Sequence, residues 1–516
     1  MKVLTTLQMK MAEAAANMND TSYLRLMENA GAACAKAIRE ECGVFQDNPK
    51  KITVVCGRGN NGGDGFVIAR KFSEIGCSVT VILAGGYPLT DLSKEMLTRI
   101  EQMPINMITF DMNKSSALDA LLKSDIIVEA VFGVGLTREV TDVYAELFRY
   151  INSSTGFKVS IDVPGGINSD TGEVMGEAIY ADFTIAICAA KPCHILLPGS
   201  KYCGKIKVVN IGITEEEQRV SGEPYCYSID EDFAKHILPK RNFISNKGDY
   251  GHVLSICGCK TMAGAAVLAA TGAVKSGAGL VTAAFPECAY NAISSKLTSP
   301  LLLPLESNEF DTVSVQCIPK IKKSIEKASS VLIGCGLGVN RDTASVLYEV
   351  LTTSEVPIVI DADGINIISH NINVLKAAKV PVILTPHPGE MSRLTGMSVK
   401  KIQSDRIQTA IDFAHNHNVI VVLKGANTVV AVPDEKSAYV NTTGNPGMAK
   451  GGSGDLLAGM IAGFLAGGMK PADAAMLSVY LHGSAGDIAA EKYSMTAMTP
   501  LDTAECLSFA LLNLEK

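Results

Sequence analysis

No excess of positive charge runs through this 516-residue chain: Lys and Arg total 46 against 53 Asp and Glu, a formal charge of −7. Without a basic stripe there is no field for a phosphate backbone, so nucleic acid is not an expected partner. Long hydrophobic runs are missing as well. The longest charge-free apolar stretch, Leu456 to Met469, falls short of the roughly 20 residues that cross a bilayer, and no membrane partner is expected. Lys10 and Glu13 interrupt the amino-terminal stretch, which therefore lacks the apolar segment of a secretory signal; a cytoplasmic location is the expectation. No low-complexity tract suggests disorder, and 47% hydrophobic with 19% charged residues is the composition of a globular protein. The 14 cysteines are scattered, many within apolar strand-like segments, which favours reduced, buried thiols. Cys257 and Cys259 lie too close for a zinc ribbon and no second pair answers them, so no structural zinc is expected.

What the chain does have is alternation. Short β-branched runs bounded by glycine alternate with helical patterns, the signature of parallel sheets covered by helices on both faces. In the first half the predicted strands are 52–56, 79–83, 126–130, 159–162, 184–188 and 206–209. In the second they are 253–257, 331–335, 358–361, 382–385 and 419–423. The acidic run after Glu215, followed by Ser-Gly-Glu-Pro, breaks the pattern and places a boundary near 225–240. No repeat relates the halves, so two different α/β domains are expected.

In the first half, a buried strand runs into Gly57-Arg-Gly-Asn-Asn-Gly-Gly-Asp-Gly65, followed by a helical run over 66–75. Such a turn aims backbone N–H groups at whatever lies above the sheet. It fits neither the dinucleotide fingerprint nor a P-loop. A plain tight turn would explain the glycines; Asn60, Asn61 and Asp64 are more polar groups than a turn needs. Two further strands end at the same edge, one carrying Glu129 and then the loop Gly133 to Glu139, the other carrying Asp162. A carboxylate in an apolar strand is costly unless it is paired, binds a cation or does chemistry, although either could simply cap a loop.

In the second half, Gly444-Asn-Pro-Gly-Met-Ala-Lys-Gly-Gly-Ser-Gly-Asp455 leads directly into an apolar helix. Glycines ahead of a helix point free N–H groups and the positive end of its dipole at one place, suited to a transferring phosphoryl group, and Asp455 is placed to take a proton from a hydroxyl. A turn with an N-cap aspartate is the plainer alternative. Val421-Val-Leu-Lys-Gly-Ala-Asn-Thr428 ends a strand in a lysine. His387 is held between prolines at another strand end beside Glu390, and Ile333-Gly-Cys-Gly-Leu-Gly338 and Ile360-Asp-Ala-Asp-Gly364 add a glycine loop and two acids.

Met27-Glu-Asn-Ala-Gly31, the Asn-Asn-Gly-Gly-Asp-Gly stretch, the Phe132-Gly-Val-Gly135 loop and Ile161-Asp-Val-Pro-Gly-Gly166, in this order, resemble the NAD(P)H-hydrate epimerase domain over roughly residues 1–215. From about Asn242 to residue 512, beginning with Lys247-Gly-Asp-Tyr-Gly-His-Val253, the chain resembles the ADP- or ATP-dependent NAD(P)H-hydrate dehydratase of the ribokinase-like superfamily. The resemblance implies two doubly wound α/β domains, a Rossmann-like one over 1–225 and a ribokinase-like one over 226–516. In the first, it implies that Asn60, Asn61, Gly62, Gly63, Asp64, Gly133, Val134, Gly135, Leu136, Thr137, Arg138, Glu139, Tyr144 and Asp162 line the cofactor site, with Asp162 as acid/base. Asn61, Glu129 and the residue at 165 would hold potassium, yet the family usually has Asp at 129 and Ser or Thr where Gly165 stands. In the second, Lys424, Gly425, Ala426, Asn427, Thr428 and Gly454 would meet the nucleotide, and Ala265, Gly338, His387 and Asp455 the hydrate. The implied chemistry is epimerisation of R and S NADHX and NADPHX, then dehydration of the S form at the expense of ADP with Mg²⁺, giving AMP and phosphate. A homo-oligomer is the expected assembly. The alternative from another class is a vitamin or sugar kinase carrying a non-catalytic amino-terminal binding module.

Overall fold

The computed structural model describes residues 1–516, which divide into two compact units, Met1–Cys226 and Tyr227–Lys516. In the first, seven parallel strands lie in the order Asn106–Thr109, Ser78–Leu83, Lys51–Cys56, Ile126–Ala130, Phe157–Ile161, Phe183–Ile187, Lys205–Val209. The order reverses around the strand Lys51–Cys56, which opens a crevice at the carboxyl ends where open α/β sheets bind ligands. The central strands are buried on both faces, which is why they read as continuous apolar runs rather than alternating ones. Helices Tyr23–Cys42 and Asn60–Glu74 bury one face through Leu26, Ile38, Phe66 and Phe72; Lys114–Lys123 and Asp142–Ser153 bury the other through Leu121, Leu147 and Phe148.

The second unit's sheet runs Ala438–Asn441, Val429–Ala431, Ile420–Leu423, Val382–Leu384, Ile358–Ile360, Ser330–Ile333, His252–Ile256, Leu280–Pro286, Leu301–Leu305. It is parallel from Ile420–Leu423 onward, but Val429–Ala431 and Ala438–Asn441 are antiparallel, which departs from the wholly parallel expectation. Those two strands are short and joined by a brief connection, and neither is flanked by the helical pattern that marks a crossover. The buried parallel strand Leu280–Pro286 also escaped the sequence reading, as did Leu301–Leu305. Its Pro304 cannot donate to a ladder, which suits the edge position it occupies.

The first glycine-rich stretch turns out to be largely helix rather than turn, whereas the second remains a turn that leads into a helix. The helix expected over 66–75 already begins at Asn60, with Gly59 as N-cap. The glycines of this stretch serve close packing: a Cβ on Gly62 would sit 2.0 Å from the Gly57 carbonyl oxygen, and one on Gly63 would sit 2.6 Å from Met27 Sδ. In the second unit the helix Ser453–Ala466 starts after Gly452, whose φ of +100° only glycine adopts readily. From Leu456 to Ala466 every residue of that helix is buried, as its all-round apolar sequence requires. All 14 cysteines are free, and no helix is long and apolar enough to cross a membrane.

Candidate active sites

At the carboxyl edge of the first sheet lies a cavity of about 590 Å³. Asn60, Asn61, Asp64, Gly133, Val134, Gly135, Leu136, Thr137, Arg138, Tyr144 and Asp162 line it. Gly62 and Gly63 are instead buried in packing, and Glu139 is exposed outside the lining. Sequence reasoning missed the amino-terminal helix Thr6–Met18, which contributes Met9, Lys10 and Glu13, and also missed Lys191.

Asp162 follows the strand Phe157–Ile161 with a φ of +66°, a left-handed conformation that a non-glycine residue holds only where its surroundings impose it. Those surroundings are visible. Asp162 Oδ1 accepts from the Lys191 ammonium and, at 3.1 Å, from the Ile187 backbone N–H. His194 Nδ1 accepts from the Lys191 N–H at 2.9 Å, which leaves the ring proton on Nε2; Nε2–H then donates to the Asp162 carbonyl oxygen at 2.8 Å. Burial lowers the His194 pKa to about 4, so the ring is neutral at neutral pH. Lys191 is 1% exposed and Asp162 7%. Burial raises the Asp64 carboxyl well above its ordinary value, and the Asp162 and Glu13 charges add to that; burial and Asp162 likewise raise Glu13. A strand-end lysine ahead of a proline, Ala190-Lys191-Pro192, was the available sequence signal for this pair.

Glu129 and Gly165 lie behind this wall, outside the cavity lining. Glu129 is 1% exposed; its Oε1 accepts from Val131 N–H at 2.8 Å, and its Oε2 accepts from Ser160 Oγ and Gly165 N–H, each at 2.9 Å. Burial nevertheless pushes its pKa up to about 7 against those bonds. The Gly165 carbonyl accepts from Ile179 N–H at 2.8 Å, and Asn61 Nδ2 donates to the Ile161 carbonyl at 3.2 Å. Three donors already occupy the carboxylate, and Gly165 brings no hydroxyl. As arranged, these residues do not form an open ring of oxygens for potassium.

In the second unit, four strand ends and one helix start converge. Asp361 Oδ1, after the strand Ile358–Ile360, accepts from Thr385 Oγ1 at 2.7 Å and from the Lys424 ammonium at 2.6 Å. Lys424 Nζ also lies 3.8 Å from Glu390 Oε2. Cys335, Asp361 and Asp455 each present a polar atom within 4.8 Å of the others. A Cβ on Gly454 would sit 3.2 Å from Lys424 Nζ, so the ammonium abuts the start of the Asp455 helix. Burial raises Asp455 to about 6, with the Asp361 charge next in effect. Asp455 is not the N-cap: Gly452 holds that place, and no side chain caps the helix.

The other expected residues surround this cluster in different roles. Gly425, Asn427 and Thr428 form a tight turn after Lys424, with Asn427 at φ +57° and Thr428 Oγ1 donating to the Gly425 carbonyl; Ala426 is exposed on it. Gly338, at φ +80°, donates its N–H to Asp363 Oδ2, and Ala265 packs against Gly336. His387 caps the helix Pro388–Thr395, its Nδ1 accepting from Gly389 and Glu390 N–H, while its Nε2 lies 3.4 Å from Glu390 Oε1. That ring is thus tied to its own helix, and only the Nε2 side is available to a ligand. Sequence reasoning noted Asp361 and Glu390 as acids but not that both clamp Lys424.

A family model described as NAD(P)H-hydrate dehydratase matches residues 253–508, and one described as YjeF-related protein N-terminus matches residues 23–193. A bifunctional NAD(P)H-hydrate repair enzyme of Moorella thermoacetica is 36% identical over 503 residues, covering 95% of this chain and 93% of that protein. An ADP/ATP-dependent NAD(P)H-hydrate dehydratase from Bacillus subtilis, co-crystallised with ATP/Mg²⁺, is 30% identical with a TM-score of 0.49, covering 56% of this chain and 99% of that one. A ribokinase-like superfamily protein from Enterococcus faecalis V583 is 26% identical with a TM-score of 0.50, covering 56% of this chain and 96% of that one.

Proposed function

This chain belongs to the family of bifunctional NAD(P)H-hydrate repair enzymes, and on that premise we propose that its first unit interconverts the R and S hydrates of NADH and NADPH while its second dehydrates the S form with ADP. The observation that carries this reading is common to both units. Each places a carboxylate beside a lysine ammonium at the carboxyl edge of its parallel sheet, Asp162 with Lys191 and the Asp361–Asp455 cluster with Lys424. The match to a repair enzyme along nearly the whole chain disfavours a vitamin or sugar kinase with an inert partner module.

In the first unit the hydrate lies in the cavity with its hydroxylated carbon, the one beside the ring nitrogen, against Asp162. Losing and regaining configuration there requires the C–O bond to break and re-form, and Asp162 takes the proton of the returning water. Potassium, which the family resemblance adds at Asn61, Glu129 and Gly165, does not fit the bonds those residues make, and no step runs through it.

In the second unit, Asp455 accepts the proton of the hydrate's hydroxyl as that oxygen attacks the β-phosphoryl group of ADP. AMP leaves, and elimination of phosphate restores the dihydronicotinamide. The free N–H groups at the start of the helix Ser453–Ala466 and the Lys424 ammonium face the charge of the transferring group. Asp361 and Asp455, whose carboxylates lie in one cluster, would hold a magnesium ion brought with the nucleotide's phosphates, and the ion would neutralise phosphoryl charge. Nucleotide and hydrate contacts are assigned to Lys424, Gly425, Ala426, Asn427, Thr428 and Gly454, and to Ala265, Gly338 and His387 Nε2, respectively. The test is the purified chain with mixed NADHX epimers, with ADP, with ATP or with neither. Recovery of dihydronicotinamide absorbance from both epimers with ADP is expected. No recovery with either nucleotide overturns the dehydratase reading, and no interconversion without nucleotide overturns the epimerase reading.

A further inference from the structure

Lys191 is an expensive residue to place where it stands. At 1% exposure it has lost its hydration, and its ion pair with Asp162 does not by itself make a buried pair favourable over apolar side chains of similar size. An ammonium has three N–H donors. Two are accounted for: one goes to Asp162 Oδ1 and one to the Ile187 carbonyl oxygen at 2.7 Å. Lys191 also lines the cavity, and its third donor has no hydrogen-bond partner within the protein, which leaves it for a ligand there. On Asp162, Oδ1 takes both the Lys191 and Ile187 donors, which leaves Oδ2 for the cavity. The pair therefore presents one donor and one acceptor side by side at one point of the wall.

The support behind the pair has the same purpose. His194 accepts the Lys191 N–H and donates to the Asp162 carbonyl, tying the two residues' backbones together through one neutral ring and holding Asp162 at its left-handed φ.

We propose that Lys191 is a further catalytic residue of the first unit, the proton donor to the departing hydroxyl, with His194 as the positioning residue that holds it against Asp162. This rests on the epimerase reading. As the C–O bond breaks, a Lys191 proton passes to the hydroxyl oxygen, water leaves, and the ring-nitrogen lone pair forms the C=N⁺ bond of an iminium cation beside the Asp162 carboxylate. Water then adds to the other face. Asp162 Oδ2 takes its proton and hands it, across the cavity face that the two groups share, to the neutral Lys191 amine, which restores both groups with no net proton gained or lost.

The test uses the full chain, with R-to-S interconversion of NADHX followed chromatographically without nucleotide. Lys191→Ala is expected to lose about 10²- to 10⁴-fold in kcat with little change in KM. Small primary amines added to it should restore rate in proportion to their acid strength, as a purely structural lysine would not allow. Interconversion within threefold of the unsubstituted chain overturns the proposal, as does a folded, inactive Lys191→Ala that no amine rescues. Should Lys191→Ala not fold, Lys191→Arg, which keeps the charge and the donors beside Asp162 but is a much weaker acid, takes its place; interconversion within threefold of the unsubstituted chain overturns the proposal, and a fall in kcat with KM held supports it. Failure of the unsubstituted chain to epimerise counts instead against the epimerase reading.

Discussion

Asp455 is where one residue's environment predicts most. Burial, reinforced by the Asp361 charge, raises its folded pKa to about 6 from an ordinary 3.8. As general base it must be ionised, so kcat/KM for S-hydrate dehydration should rise with pH through about 6 and level off above it. The sign for stability is opposite. A carboxyl whose folded pKa is raised contributes stability at low pH that is lost as pH climbs through about 6. Asp455→Asn is therefore expected to cut dehydration by about 10²- to 10⁴-fold while unfolding at a higher temperature than the parent at neutral pH. Because Asp455 does not cap its helix, the substitution removes no cap bond. Near-normal turnover in the variant would remove Asp455 as the base.

Gly165 shows the same dependence on surroundings. From sequence, a serine there restores the family's hydroxyl and should strengthen potassium dependence. In the structure a Cβ at Gly165 would sit 2.6 Å from Phe148 Cζ and 2.9 Å from Glu129 Oε1, in space the longer glutamate and the ring already fill. Gly165→Ser should cost about 1–3 kcal/mol of first-unit stability by overpacking and create no potassium response. Urea unfolding with and without KCl measures both; a variant as stable as the parent with a new potassium dependence would contradict this.

At the scale of elements, the Asp455 helix is positioned by glycines. A Cβ on Gly459 would lie 2.0 Å from the Ala269 carbonyl oxygen, and one on Gly272 would lie 2.3 Å from that of Leu456, so helices Ala263–Lys275 and Ser453–Ala466 approach backbone to backbone. Gly459→Ala must push them apart. The expected outcome is a loss of about 1–3 kcal/mol in the second unit and slower dehydration, with epimerisation unchanged. Unchanged dehydration kinetics would show that the helix start tolerates the shift. Several elements were legible from pattern alone, the buried parallel strands above all, because burial on both faces demands unbroken apolar runs. The edge strands Asn106–Thr109 and Leu301–Leu305 were not, since a half-exposed edge imposes no such pattern, and the buried Leu280–Pro286 escaped too, its Ala283 and Ala284 interrupting the bulky β-branched run.

At the scale of the molecule, two chemistries in one chain should separate cleanly by substitution. Asp162→Asn is expected to abolish interconversion while leaving ADP-dependent dehydration of the S hydrate nearly untouched. With mixed epimers and excess ADP, dihydronicotinamide recovery should then stall once the S form is consumed, the remainder following only the slow uncatalysed interconversion. Complete recovery at the parent's rate would show that Asp162 is a structural strand-end residue.

The amino-acid sequence by itself determined the class of fold, the two-part organisation and the polar residues that mark each site. These depend on local composition: apolar runs, glycine-dense stretches and carboxylates or amides at strand ends are all readable one segment at a time. The tertiary structure decided which of those residues work together. Lys191 and His194 lie about thirty positions beyond Asp162, and Asp361 lies 63 residues before Lys424; each pairing exists only because parallel strands end side by side at one sheet edge. It also decided which glycines are there for close packing, and that Glu129 spends its carboxylate on three local donors. The physical reason is common to all of these: a buried charge or a missing side chain has its meaning in what surrounds it, and those neighbours are brought together only by the packed fold.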